Sequence, residues 1–290
     1  MSQNTRFSKG VERMMQFLYA RKVLTALLIS IYSVAILLMH DPLVKVSVFV
    51  MKRMSIPGYN LFISLLTLIL LSLILGVVIY QLKKHTNQLK IKILLLVFIL
   101  LWLGLHYVFL LEMNIEIIHA FAYGGLIILF YGYFRLYAAA LIFSIPVMLI
   151  DEWNQYINLY PTYNQYWELN DVILDSLGEV FVLITFYCLN ITKVVINQKW
   201  YKTPAFILMI GTIIVFYELI EFSIISTHTM SSTKQTIFIM SRLPHEGTDW
   251  YVHQLTKKRY LILSPKDALL VMVFMCSILM VGDRKLKIET

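Results

Sequence analysis

The sequence predicts an all-α fold: a polytopic transmembrane helical bundle of about eight spans, with one small extracytoplasmic insertion that contains a hairpin. Three observations point there. Hydrophobic residues make up 59% and charged residues 14% of the 290, whereas soluble domains average roughly 45–50% and about 25%. A water-soluble fold cannot hide that much apolar surface. Apolar runs close to the length a bilayer crossing needs, about 20 residues, recur along the chain. The Lys and Arg residues fall almost entirely between those runs.

Taken in order, the runs are 23–39, 61–81, 93–111, 117–134, 136–153, 172–192, 205–225 and 268–282. The fifth loses its uninterrupted apolar character after Ile150, and the eighth is short. Residues 1–22 are too long and polar for a signal n-region, and no small-x-small cleavage pattern follows the first run. They are expected to form a cytoplasmic lead-in to an uncleaved anchor. Short loops rich in Lys and Arg stay in the cytoplasm. With the N-terminus inside, the inner segments hold 16 of the 25 basic residues; six of the other nine fall in the long loop 226–267, which the rule weighs less. Both termini are therefore expected inside a cell membrane crossed many times.

No internal repeat, low-complexity tract or heptad series divides the chain, so residues 1–290 read as one transmembrane domain with the 226–267 insertion outside. Within that insertion the runs beginning at Trp250 and Tyr260 flank a polar turn and read as two short strands. The net charge of +8 is not interleaved with aromatics on a basic face, which excludes nucleic acid as a partner. Cys188 and Cys276 both lie in apolar runs, with nothing to indicate pairing.

Charges inside a bilayer cost at least about 2.5–3.5 kcal/mol each on insertion scales, so several together imply a cavity or partners. On the expected topology they gather toward the outer side. His106 lies in the outer half of the third run and His119 at the start of the fourth. Asp151, Glu152 and Gln155 end the fifth, Asp171, Asp175 and Glu179 open the sixth, and Glu218 and Glu221 occupy the outer half of the seventh. No Lys or Arg occurs in residues 136–192. The acids there lack a local basic partner, so some must be protonated, hydrogen-bonded or metal-bound. Spacing sharpens the pattern, because residues three or four apart share a helix face. Asp171, Asp175 and Glu179 form one stripe, and Asp151 or Glu152 with Gln155 forms another. Carboxyls on adjacent turns can divide into an acid and a base or nucleophile, and the same arrangement accommodates a hard divalent cation. No other cofactor is implied.

The order His119, then Asp151-Glu152-Trp153-Asn154-Gln155, then Asp171-Val172-Ile173-Leu174-Asp175-Ser176-Leu177-Gly178 resembles the VanZ-like membrane proteins, named for a teicoplanin-resistance protein. Their pattern is a helix-opening His, an Asp-Glu-x-x-Gln helix end, an Arg in the following loop and an Asp-x-x-x-Asn-x-x-Gly helix start. The resemblance covers residues 115–192. It departs in two places: residues 156–170 contain no Arg, and Asp175 stands where the family commonly has Asn. If that Arg binds an anionic group, this chain is expected to take a different or less charged substrate. The family name implies antibiotic resistance through contact with an amphipathic drug or its lipid-linked target.

Other polar residues have plainer readings. Glu218 and Glu221 are expected to wall a cavity or to form a second half-site. Tyr163, in the run Tyr156, Tyr160, Tyr163, Tyr166 and Trp167, belongs to an interfacial belt or stacks on sugar rings. His245, Glu246, Asp249 and His253 lack the helical His-Glu-x-x-His spacing of a zinc site.

Three functions fit a polar pocket open to the outer leaflet. One is an intramembrane hydrolase or transferase acting on a lipid-linked envelope substrate. There Glu152 is the general acid/base, Asp171 or Asp175 the base or nucleophile, and His119 and Gln155 orient the substrate, with Asp151, Glu179 and Tyr163 lining the pocket. The others are a carrier whose acids titrate during transport and a non-catalytic binder of a lipid, lipid-linked glycan or glycopeptide. Cysteine labelling of intact cells checks the topology: residues introduced near either terminus are expected to stay unlabelled by an impermeant reagent, and labelling of the C-terminal one would reject the orientation.

Overall fold

Apolar runs rich in Leu and Ile and poor in Gly and Pro propagate helix readily, and helix dominates this computed structural model, which describes residues 6–84, 88–159, 169–191, 203–222, 224–226, 238–239, 250–253 and 256–285. The helices among the described residues are α1 (Arg6–Ala20), α2 (Lys22–Met54), α3 (Ile56–Lys84), α4 (Leu89–Phe109), α5 (Ile117–Phe134), α6 (Tyr137–Asn154), α7 (Leu169–Cys188), α8 (Pro204–Glu221) and α9 (Pro265–Lys285). A 3-10 turn, Asn114–Glu116, precedes α5, and a π turn, Gln155–Leu159, continues α6.

Each expected apolar run lies within or largely overlaps one helix, and four helical stretches, Lys22–Met54, Ile56–Lys84, Leu89–Phe109 and Asn114–Phe134, are long and apolar enough to cross a membrane. In α2 and α3 only 6% and 11% of the most apolar stretch is buried within the protein. Leu61, Phe62, Leu65, Leu68, Ile69 and Leu73 all stand exposed along α3. A continuous apolar face of that kind needs lipid or a partner to cover it.

Two sequence expectations change. The first run was expected to end at 39, but α2 continues through Pro42 to Met54, 33 residues in all. His40, Asp41 and Pro42 interrupt the apolar count without ending the helix. Pro42 removes one backbone hydrogen bond, while the Asp41–Lys45 pair at 2.6 Å bridges the next turn. At 1.5 Å per residue α2 is about 50 Å long, well beyond the ~30 Å of a hydrocarbon core. The polar lead-in is also structured. As α1 it buries Ser8, Met15 and Leu18 and packs against α5, where Gly132 admits Leu18: a Cβ there would lie 2.6 Å from Leu18 Cδ1.

Helices α5 and α7 cross at the centre. Along α7 almost every residue from Leu169 to Phe186 is buried, because α4, α5, α6 and α9 surround it. A Cβ on Gly178 would come within 2.3 Å of the Ala120 carbonyl oxygen and 2.6 Å of Ala120 Cα, so only glycine permits this approach. Gly124 extends the contact, its absent Cβ facing Val182 Cγ2 at 3.3 Å. On another face of α5, Tyr32 of α2 donates its hydroxyl to the Ala122 carbonyl at 3.1 Å.

The polar groups at the end holding the α5 C-terminus are spent on structure. Buried Arg135 pairs with Glu12 of α1 at 2.7 Å. Asp283, in the last turn of α9, accepts from the backbone N–H groups of Tyr137 and Ala138 at 3.0 and 2.9 Å, capping the N-terminus of α6 from another helix. Lys92 donates to the Asn190 side chain.

At the other end lie two small strand pairs. Strands β1 (Ile225–Ser226) and β2 (Phe238–Ile239) pair in parallel. Strands β3 (Trp250–Val252) and β4 (Arg259–Leu261) pair antiparallel with Tyr251 opposite Tyr260, in the segment where two strands were expected. Tyr260 is buried, and Phe109 at the end of α4 meets Trp250 edge-on at 6.2 Å between ring centres.

Gly178→Ala should therefore lower stability by about 1–3 kcal/mol, the usual cost of overpacking, measured by thermal unfolding of the purified protein in detergent. Gly76→Ala, where a Cβ meets nothing within 4 Å, should leave it unchanged or slightly raised.

Candidate functional site

The crossing of α5 and α7 brings the expected residues together. His119 occupies the first turn of α5, one residue before the Ala120 contact. Asp175 lies three residues before Gly178. The close backbone approach sets their side chains facing, with His119 Nδ1 3.4 Å from Asp175 Oδ1 and the Asp175 side chain fully buried. Asp171 sits one turn nearer the α7 N-terminus, 8% exposed.

The last turn of α6 supplies the third wall. Asp151 and Glu152 are both buried there. Tyr123, one turn along α5 from His119, donates its hydroxyl to Asp151 Oδ2 at 3.2 Å. Gln155, buried in the π turn, donates Nε2–H to Glu152 Oε1 at 3.0 Å. A π turn at a helix end re-aims side chains and is common at functional sites. One ligand atom from each of His119, Asp151 and Glu152 lies within 4.8 Å of the others. Asp171, His119, Asp151 and Asp175 are all close enough to act on the charge of Glu152.

Several acceptors in this space are unsatisfied. Asp151 Oδ1, Asp171 Oδ1 and both oxygens of Asp175 are buried without a hydrogen-bond partner among the described residues. Four carboxyls thus share one imidazole, and no Lys or Arg occurs in residues 136–192. Such a cluster is charge-balanced only by retained protons or by a bound cation.

Glu179 lies one turn deeper. Its carboxyl engages the Ser144 hydroxyl of α6, while its Oε1 has no partner among the described residues. It lines the floor beneath Asp175. Tyr163 falls outside the described residues, as do Tyr160, Tyr166, Trp167, His245, Glu246 and Asp249. Glu218 and Glu221 do not join the cluster. Both are exposed on α8, a helix packed on α6, and the expectation that they wall the cavity is corrected. His106 is fully buried on α4 with neither ring nitrogen hydrogen-bonded among the described residues, and it too stands apart from the cluster.

His253 serves the hairpin. Its Nδ1 accepts the Thr256 backbone N–H at 3.1 Å, so its Nε2 carries the proton facing Glu112 Oε1 at 3.4 Å. Lys258 donates to the Tyr107 carbonyl at 3.0 Å, and burial pushes its ammonium below the usual lysine range. Asn170 ties these pieces to the site. Its Nδ2 donates to the Leu110 and Leu261 carbonyls at 2.9 and 2.8 Å, and its Oδ1 accepts from Leu263 N–H at 3.0 Å. The residue next to Asp171 is thereby locked to α4 and β4.

Three participants were not singled out from sequence. His40 of α2 meets the His119 ring edge-on at 5.6 Å, yet it lies one residue past the expected end of the first run. Tyr123 follows His119 by four residues, a spacing that marks the shared face. Ser144 precedes Met148, Asp151 and Gln155 on one face of α6, and that periodicity was the available signal.

Comparison of the chain with family models, with curated proteins and with solved structures finds no match.

Asn170→Ala removes three hydrogen bonds, each worth about 0.5–1.5 kcal/mol net. It should lower the unfolding temperature in detergent more than Asn158→Ala, whose side chain makes one exposed contact to Asn154.

Proposed function

We propose that this chain is a multi-pass membrane enzyme using acid/base chemistry on a lipid-linked or amphipathic substrate of the cell envelope. One observation carries the reading: five ionisable side chains from α5, α6 and α7 meet in one buried place with several acceptor atoms left open. Structural ion pairs bring opposite charges together, as Arg135 and Glu12 do at the opposite end. A group of acids held unsatisfied in an apolar bundle is the usual mark of a reactive or binding site.

In this reading α2 to α9 are the eight spans, both termini are cytoplasmic, and the cluster lies toward the outer leaflet. The division of basic residues supports that orientation. Neighbouring carboxyls that cannot all ionise divide into a proton donor and a base. Asp171 and Asp175 supply the base or nucleophile, Glu152 the opposing acid, and His119 and Gln155 the orienting contacts. Asp151 and Glu179 line the pocket, and Tyr163 contributes from the connecting segment. The resemblance of residues 115–192 to VanZ-like proteins supports an envelope substrate such as a lipid-linked glycan or glycopeptide. It also favours a second reading, binding of an amphipathic drug or its target without turnover.

The test is turnover of extracted envelope lipids by the purified protein, followed by mass spectrometry. Glu152→Gln and Asp175→Asn should each lower product formation by about 10²–10⁴-fold, the span typical of general acid/base groups, with the protein still folded. Glu218→Gln should change it far less. Wild-type product from both acid variants would sink the catalytic assignment. A binder would form no product with any variant, and a carrier would instead show pH-dependent flux.

A further inference from the structure

Two side chains of the cluster are each held from behind by a hydrogen bond, and a third has a carboxylate at its back. With His119 Nδ1 facing Asp175 Oδ1 at 3.4 Å, Nε2 is the open nitrogen of the ring. Tyr123 holds Asp151 Oδ2 at 3.2 Å, leaving Oδ1 without a partner among the described residues. Gln155 holds Glu152 Oε1 at 3.0 Å, leaving Oε2 as its other acceptor. Ligand atoms around an ion with bonds of about 2.0–2.2 Å stand roughly 3.4 Å apart in a tetrahedral shell. One ligand atom from each of His119, Asp151 and Glu152 already lies within 4.8 Å of the others.

We propose that His119, Asp151 and Glu152 bind a divalent transition-metal ion of the Mn²⁺ or Zn²⁺ class, with Asp175, Tyr123 and Gln155 orienting the three ligands. This rests on reading the cluster as the reactive site and refines the part Glu152 plays there, which becomes ligation. One imidazole with two carboxylates suits these ions better than the all-oxygen cages of Ca²⁺ and Mg²⁺. A carboxylate behind a ligating histidine is the usual second support of such a site.

A further side chain, outside the ligand set, points to the same occupant. Asp171 is 8% exposed, its Oδ1 has no hydrogen-bond partner among the described residues, and it lies near enough to Glu152 and His119 to act on their charge. Two ligating carboxylates neutralise a divalent ion, and Asp171 then stands beside it as the free base. The ion also answers a problem of substrate charge. With no Lys or Arg in residues 136–192, the carboxylates of the cluster would repel a phosphate-bearing headgroup, and a bound cation gives its oxygens something to bind.

The decisive experiment measures metal, independently of turnover. Full-length protein in detergent is stripped with chelator, equilibrated with Mn²⁺ or with Zn²⁺, desalted and assayed for bound metal by mass spectrometry. One ion per chain is expected for the wild type, with loss in His119→Gln and in Asp151→Asn. Asp175→Asn should weaken binding by about 10–100-fold, as loss of a supporting group does, and Glu218→Gln should bind normally. Pulsed electron resonance of the Mn²⁺ adduct should show a coupled imidazole nitrogen, a wild-type measurement that decides even where a variant fails to fold. Absence of that nitrogen, absence of retained metal in the wild type, or undiminished binding in both ligand variants would each overturn the site. Binding without turnover would count against the enzymatic reading alone, and turnover without binding against the metal alone.

Discussion

The backbone contact between Gly178 and Ala120 is the constraint on which the candidate site depends. A Cβ at 178 would fall 2.3 Å from the Ala120 carbonyl oxygen, so the two helix axes come closer here than any other residue would allow. His119 and Asp175 flank that contact on their respective helices. Their 3.4 Å separation follows from the missing side chain rather than from strong attraction between them. Small residues at helix crossings serve this purpose in bilayers, where the hydrophobic effect does little to drive helices together. Gly125 and Gly132 use the same device on other faces of α5, admitting Tyr32 and Leu18, which makes α5 the hub of the bundle.

The two ends of that bundle treat polar groups oppositely. Where α5 ends and α6 begins, Arg135 pairs with Glu12 and Asp283 caps the α6 N-terminus. At the end holding the cluster, the hairpin and the loop before α5 are equally well tied, through Asn170, His253 with Glu112, and Lys258. Glu116 accepts from the backbone N–H groups of Glu112 and Met113 at 2.9 and 2.7 Å. Among the described residues, the carboxyls enclosed by this frame, those of Asp151, Asp171, Asp175 and Glu179, keep open oxygens. A rigid surround with an unsatisfied interior is the pattern expected where preorganised groups await a ligand, since loose support would let the carboxyls turn away from one another.

Much of this was legible in the sequence, and the exceptions have physical causes. Helix α5 spans the expected 117–134, and α6 is displaced by one residue at each end. Both are bounded by turn signals within strongly apolar runs. Helix α7 begins at Leu169, earlier than expected, because Asn170 and Asp171 are polar first-turn residues that an apolar count discards. The amphipathic α1 and the far half of α2 were lost for the same reason. The acid stripes were readable because intrahelical spacing is written along the chain, whereas Tyr123, Ser144 and His40 meet the acids only through packing between helices. Glu218 and Glu221 were misjudged because α8 is apolar almost all round, so nothing in its pattern tells which face turns inward.

The acids of the cluster also differ in the backbone field they feel. Asp171 lies in the first turn of α7 and His119 in the first turn of α5, where unpaired N–H groups make the helix end positive. An anion is favoured there by about 0.3–1 kcal/mol. Asp151 and Glu152 lie in the last α-helical turn of α6, which the π turn Gln155–Leu159 continues, so no helix N-terminus on their own helix supports a negative charge on them. The fold therefore supports the charge on Asp171 and gives the α6 pair no such support. For that pair to remain ionised something cationic must stand beside it, and the stretch 136–192 supplies no Lys or Arg, leaving the His119 imidazole or a bound ion. The helix start under Asp171 thus distinguishes the carboxyl suited to hold a free negative charge from the two on α6 suited to recruit a positive one.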